Sequence, residues 1–123
     1  RSRTVLAGQS LGGVTGLMAA LYAPDTFGAV LCHSPSMWWT PDGHGRPVQL
    51  TDNGTDWVSE KVLSAPPETV RIRLCVGSLE GATVLHVQQL HRRFTRRRRR
   101  EPFIHFTPVA TIMRGGAAPL LMA

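Results

Sequence analysis

Three short apolar runs lie in the first three quarters of the chain, each followed by a stretch with helical spacing. Thr4-Val5-Leu6-Ala7 predicts a buried strand, and the small and apolar residues from Leu11 to Tyr22 predict a helix. Ala23-Pro24-Asp25-Thr26 ends that helix in a turn. Phe27 to Cys32 predicts a second buried strand, which gives way to His33-Ser34-Pro35-Ser36 and the pair Trp38-Trp39. The stretch from Thr40 to Thr55 is rich in Gly, Pro, Asp and Thr and predicts a loop. Asp56 to Leu63 predicts a short helix with Thr55 or Asp56 as its cap, and Pro66-Pro67 breaks it. Val70 to Val76 predicts a third strand, followed by a loop at Gly77-Ser78-Leu79-Glu80-Gly81. From Val84 to Phe94 the period is helical, with Val84, Leu85, Val87, Leu90 and Phe94 on or near one face. Strands alternating with helices imply a parallel sheet with flanking helices, an α/β architecture. Beyond Phe94 the pattern fails. Thr95 to Arg100 is low in complexity, Phe103-Ile104-His105-Phe106 is a weak candidate strand, and Pro108 to Ala123 has no clear period. We therefore divide the chain into residues 1–94, the C-terminal part of one α/β domain, and a basic, irregular tail at 95–123.

The junction of the first strand and helix carries the candidate chemistry. Gly8-Gln9-Ser10-Leu11-Gly12 is a G-x-S-x-G between a strand and a helix, the context of the nucleophile elbow of α/β-hydrolases. Such a turn strains the serine backbone and exposes its Oγ at the sheet edge. Glycines at 8 and 12 are expected to let strand and helix approach without a Cβ clash. The helix N-terminus sets free N–H groups and positive partial charge beside the oxygen where negative charge develops. The backbone N–H of Leu11 is the expected oxyanion donor. The elbow begins at residue 8, so the strands that should precede it are expected to be missing, with Arg1-Ser2-Arg3 as a cut end.

Charge changes this picture little. The formal net charge is +6, yet five of the fourteen basic residues form the run Arg96–Arg100. Without that run, nine basic side chains face eight acidic ones. The run could attract nucleic acid, but no aromatic platform or zinc spacing accompanies it, so nucleic acid is an unlikely partner. No segment is long and apolar enough to span a membrane. Cys32 and Cys75 lie in apolar runs and read as buried free thiols of a reducing compartment, with a disulfide left open. His33, His44, His86, His91 and His105 show no metal-ligand spacing, and no cofactor is expected.

A serine hydrolase of this fold orders its triad serine, acid, histidine. Glu80 suits the acid: it follows a strand two β–α units after the elbow, in a loop on the side of Ser10. Asp52 and Asp56 are weaker candidates because they lie in the intervening insertion. No histidine fills the third role. His33 precedes the acid, His86 and His91 belong to the following helix, and His105 sits inside an apolar run.

Val5-Leu6-Ala7-Gly8-Gln9-Ser10-Leu11-Gly12-Gly13, Phe27-Gly28-Ala29-Val30-Leu31 and Ser34-Pro35-Ser36-Met37-Trp38-Trp39 resemble the catalytic half of enterochelin esterases. The resemblance continues through Arg71-Ile72-Arg73-Leu74-Cys75-Val76-Gly77 and Glu80 to the helix near Phe94. It implies a partial α/β-hydrolase fold and a cytoplasmic esterase that hydrolyses an iron-loaded catecholate siderophore. It also implies Ser10 as nucleophile and Glu80 as acid. Trp38 and Trp39 are candidates to stack on catechol rings, each weighed against a role in core packing, and Arg46 is a candidate contact for a negatively charged substrate. The alternatives are a general carboxylesterase or thioesterase of the same superfamily and, more remotely, a non-catalytic basic binding module.

The histidine of that family lies in a Gly-Gly-His-Asp motif, which this chain lacks. Back-translation of Pro108–Ala117, with each triplet begun on the third base of a codon, permits Gly-Gly-His-Asp-Tyr-Ala-Trp-Trp-Arg. Residues from about Thr95 onward are therefore expected to be translated out of frame; the alternative is a natural divergent tail. Without its base, and with an unpaired sheet edge, the chain is expected to show negligible activity and poor solubility.

Overall fold

The computed structural model of the chain describes residues 3–67, 69–99, 109–113 and 120–122. β1 (Val5–Gln9), β2 (Ala29–His33), β3 (Arg71–Gly77) and β4 (Val109–Met113) lie side by side in chain order, all parallel. β5 (Leu120–Met122) pairs antiparallel with β4. α1 (Leu11–Tyr22), α2 (Trp57–Ser64) and α3 (Ala82–Arg99) occupy the successive crossovers. Right-handed crossovers between strands in sequential order carry each helix to the same face of the sheet. The packing agrees: α1 rests on β1 and β2, α3 on β3 and β4, and α2 touches both α1 and α3.

The covered face is apolar. Val30 and Cys32 of β2 and Ile72, Leu74 and Val76 of β3 meet Val14, Leu17 and Ala20 of α1 and Val87, Leu90 and Phe94 of α3 in one buried cluster. Burial pushes the Cys32 thiol up to about 12, and neighbouring Cys75 adds to the effect. At neutral pH Cys32 is thus a protonated apolar filler rather than a nucleophile. Both cysteines are free and buried, as the sequence suggests. The opposite face is open at Val5, Ala7 and Gln9 of β1 and at Arg71 and Arg73 of β3.

The apolar pattern places each of the first three strands to within two residues and α1 to its full extent. α3 runs five residues past the expected end at Phe94, to Arg99. Its buried face at Val87, Leu90 and Phe94 anchors it, and arginine propagates a helix readily once nucleated. β4 and β5 arise where the sequence has no clear period. Val109-Ala110-Thr111-Ile112-Met113 lies along the edge of β3, which otherwise has unpaired backbone groups on that side. The weak candidate strand Phe103–Phe106, with His105, lies outside the described residues.

The loop from Thr40 to Thr55 is tied to the helices by a buried polar cluster. Asp56 caps α2, its Oδ1 accepting the Ser59 N–H at 2.7 Å. Its Oδ2 meets His86 Nδ1 at 2.8 Å, and His86 Nε2 meets the Thr51 carbonyl oxygen at 2.7 Å. Asp56 and His86 are both buried, so neither has water as a substitute partner. Asp56→Ala is expected to cost about 3–5 kcal/mol, the sum of a lost cap and an abandoned buried partner. Urea unfolding of the two proteins measures it.

Candidate active site

The elbow is a steric consequence of Gly8. A Cβ there would lie 2.1 Å from the Gly12 carbonyl oxygen, far inside contact distance. Gly12 itself departs from expectation, since a Cβ there would meet nothing within 4 Å. The close approach is therefore of Gly12's backbone over Gly8, and one glycine suffices for it. Between them Ser10 adopts φ 58° and ψ −121°, a conformation that costs a non-glycine residue about 1–3 kcal/mol.

Four backbone hydrogen bonds hold the strained residue. Its N–H donates to the His33 carbonyl oxygen at 3.0 Å, and its carbonyl oxygen accepts from Gly13, Val14 and Ser36 at 3.0, 3.3 and 3.1 Å. Ser10 occupies the N-cap of α1, where a serine hydroxyl ordinarily accepts from the first turn. Here no side-chain cap bond forms, and the residue is exposed. The twisted backbone has taken Oγ out of capping and turned it to the carboxyl edge of the sheet. The N–H groups of Leu11 and Gly12, at the start of α1, have no intrahelical acceptor and carry the helix's positive partial charge.

Two strands away, β3 ends at Gly77 and turns through a Glu80 N–H to Gly77 carbonyl bond of 3.2 Å. That turn folds the Glu80 carboxylate back over Gly77, whose N–H donates to Oε2. A Cβ on Gly77 would sit 2.7 Å from the same oxygen, so a side chain there would displace the carboxylate from this position. The Ser34 hydroxyl donates to Oε2 as well, at 2.6 Å. Ser10 and Glu80 thus stand at the carboxyl ends of β1 and β3 with the end of β2 between them. That separation is about 9–10 Å between strand axes, enough for an imidazole with a hydrogen bond on each side.

No described histidine occupies the gap. Both ring nitrogens of His86 are engaged by Asp56 and Thr51, which leaves neither to take a serine proton. The same contacts remove Asp56 from candidacy as the acid, and Asp52 lies on the exposed loop beside it. His33, at the end of β2, lends its carbonyl to Ser10, while no hydrogen bond joins its ring to Ser10 or Glu80. His91 is buried in α3, and His44 sits on the exposed loop with its N–H on Asp42. Among the described residues no group of three or more His, Cys, Asp or Glu could hold a metal ion.

The segment after β2 is fastened to the elbow through Ser36, and from it the two tryptophans diverge. Trp39 packs edge-to-face on Trp57, with centroids 5.3 Å apart and planes at 70°. Trp38 lines an open hollow of about 150 Å³ with Met37, Thr40, Gln49, Leu50 and Trp57. Thr55 and Asp56 complete its lining, and it is open to solvent rather than enclosed. Arg46 spends its Nη1 on the carbonyl oxygens of Gly43 and Gly45, at 2.9 and 2.7 Å, and so fastens its own loop.

A strained serine between a parallel strand and a helix, with a held carboxylate two strands on, belongs to the α/β-hydrolase fold, of which this chain is a part. The chain is a member of the family described as "Putative esterase", whose model matches residues 1–104. It is 70% identical over 93 residues to the iron(III) salmochelin esterase of Escherichia coli O6:H1 strain CFT073, covering 76% of this chain and 23% of that protein. The enterobactin esterase of Shigella flexneri, solved in the presence of 2,3-di-hydroxy-N-benzoyl-glycine, superposes with a TM-score of 0.68 at 29% identity. That match covers 93% of this chain and 27% of the other. A structure of the same enzyme in the presence of enterobactin matches with a TM-score of 0.64 at 28% identity, over 93% and 26% of the two chains. The chain spans about a quarter of the length of these relatives.

Ser34 and Gly77 are the site residues that sequence reasoning passes over. Gly77, three residues before the acid, signals a turn but not a carboxylate folded over it. Ser34 has no local signal, because its partner lies 46 residues away.

Proposed function

We propose that the chain is part of a cytoplasmic serine esterase that cleaves the ester bonds of a ferric catecholate siderophore and so releases the iron. The observation that carries this reading is Ser10, strained, uncapped and exposed at a helix N-terminus. In the intact enzyme the triad histidine, which this sequence as it stands does not supply, takes the Oγ proton as Ser10 attacks the substrate carbonyl, and Glu80 orients that histidine. The tetrahedral oxyanion lies against the Leu11 N–H, where the α1 dipole favours negative charge. The histidine returns the proton to the leaving alcohol, and water then opens the acyl-enzyme by the reverse transfers.

The substrate class follows from the Trp38 hollow and from the relatives, which are esterases of iron(III) salmochelin and enterobactin. One catechol ring would stack on Trp38 in this hollow, whose Thr40 hydroxyl and Gln49 amide oxygen are held by Asp42, Gly45 and Arg46 of the same loop. Trp39 would act through Trp57, holding the wall rather than the ring. The iron is cargo of the substrate. Buried free thiols suit a reducing cytoplasm, and among the described residues no helix is long and apolar enough to cross a membrane.

A general carboxylesterase or thioesterase shares the elbow but has no use for an aromatic hollow. The test is the salmochelin esterase with residues 1–94 of this chain in place of its own matching stretch. We expect kcat/KM for a ferric catecholate trilactone to exceed that for p-nitrophenyl acetate by at least about a hundredfold, the scale set by a few well-placed contacts. Equal values would favour the general esterase.

A further inference from the structure

We propose that Ser34 is a positioning residue for the Glu80 carboxylate, a role that rests on reading Glu80 as the acid of the site. Among the described non-glycine residues, Ser10 and Ser34 are the two with positive φ, and each directly follows the last register pair of β1 and β2, Gln9 and His33. Ser34 has φ 43°, held by a 2.7 Å bond from its N–H to the Cys75 carbonyl oxygen on β3. That backbone bond already ties β2 to β3, so the hydroxyl is not needed for the tie. Its contact goes instead to Glu80 Oε2, at 2.6 Å, within the range of a hydroxyl on an ionised carboxylate.

Glu80 needs such a partner. It is exposed, sits on a loop and has three rotatable side-chain bonds, so unheld it would spread over several rotamers. The Gly77 N–H and the Ser34 hydroxyl converge on one oxygen, Oε2, from two different strand ends. Two donors on Oε2 hold that oxygen in place and leave Oε1 free of these contacts to accept an imidazole N–H. Outer contacts of this kind set how well a reacting group is aimed, and small misplacements are costly in rate. The positive φ is consistent with that use: strain is kept where it delivers a side chain to a required point.

The test uses Ser34→Gly and Ser34→Ala, both of which lack the hydroxyl. Glycine relieves the positive φ and alanine keeps it, so a backbone effect would separate the two variants and a hydroxyl effect would not. In the salmochelin esterase carrying residues 1–94, both variants are expected to lower kcat by roughly ten- to a hundredfold with KM within about twofold. In the 123-residue chain, the ¹³C carboxyl resonance of Glu80, assigned by its loss in Glu80→Gln, is expected to move at neutral pH in both. A resonance that stays in place overturns the contact, while a loss of kcat in Glu80→Gln would still leave Glu80 as the acid. A resonance that moves with kcat unchanged overturns the positioning role, and an inert Glu80→Gln would place that failure in the reading of Glu80. A loss of kcat in Ser34→Ala but not in Ser34→Gly also overturns it, because the backbone and not the hydroxyl would then be responsible.

Discussion

Ser10→Ala, in the salmochelin esterase carrying residues 1–94, is expected to lower kcat for ester hydrolysis by at least about 10⁴-fold while KM stays within a few-fold. On the proposed mechanism the hydroxyl is the attacking group, so its removal would end acyl-enzyme formation and leave the binding surfaces intact. The geometry makes this a clean experiment. Ser10 Oγ makes no cap bond and is exposed, so alanine orphans no buried partner. The backbone bonds to His33, Gly13, Val14 and Ser36 do not involve the side chain. Stability should therefore change by less than about 1 kcal/mol, and lost activity cannot be put down to unfolding. Ser10→Gly makes the point more sharply, because relief of the positive φ should raise the unfolding midpoint while activity is lost. Activity in either variant within tenfold of the parent would mean that another group attacks the ester.

The contrast between Gly8 and Ser34 shows what a sequence exposes and what it hides. The elbow is written in five consecutive residues, and its closest approach, Gly8 against the Gly12 carbonyl, lies within that stretch, so reading the strand, turn and helix from local pattern succeeds. The Asp56 cap is legible for the same reason: its partner, Ser59, is three residues on. Glu80 is legible one level up, because alternating strands and helices place the loop after β3 on the same sheet edge as Ser10. The contacts that give these residues their tasks are not local. Asp56 meets His86 across 30 residues and Ser34 meets Glu80 across 46, and no periodicity encodes either pairing. Adjacent Trp38 and Trp39 look equivalent in sequence and part company only when one meets Trp57 and the other a hollow. The length of α3 was hidden for another reason: a run of arginines lacks an amphipathic period but is no obstacle to a helix already anchored by Leu90 and Phe94.

Sequencing the gene from the Glu80 codon onward is expected to reveal one added or missing base near the Arg96 codons. Repairing the frame should then supply the missing base of the triad. Two features support a shifted frame in the tail. The described histidines are each committed elsewhere or lack a bond to Ser10 and Glu80, although the serine and the acid are otherwise in order. The codons of Pro108–Gly116, read one base out of phase, permit Gly-Gly-His-Asp followed by aromatic residues. In a hydrolytic triad the loss of the histidine alone costs about as much as the loss of all three members, on the order of a millionfold in kcat. Two versions of the assembled esterase therefore separate the cases, one ending in residues 95–123 as they stand and the other in the repaired frame. The repaired version is expected to exceed the other by at least about 10⁴-fold in kcat, and His→Ala in its Gly-Gly-His-Asp should abolish the gain. An unbroken frame in the gene would end this explanation. The helix through Arg99 and the strand at Val109–Met113 would then be natural features of a chain whose serine and acid have no base between them.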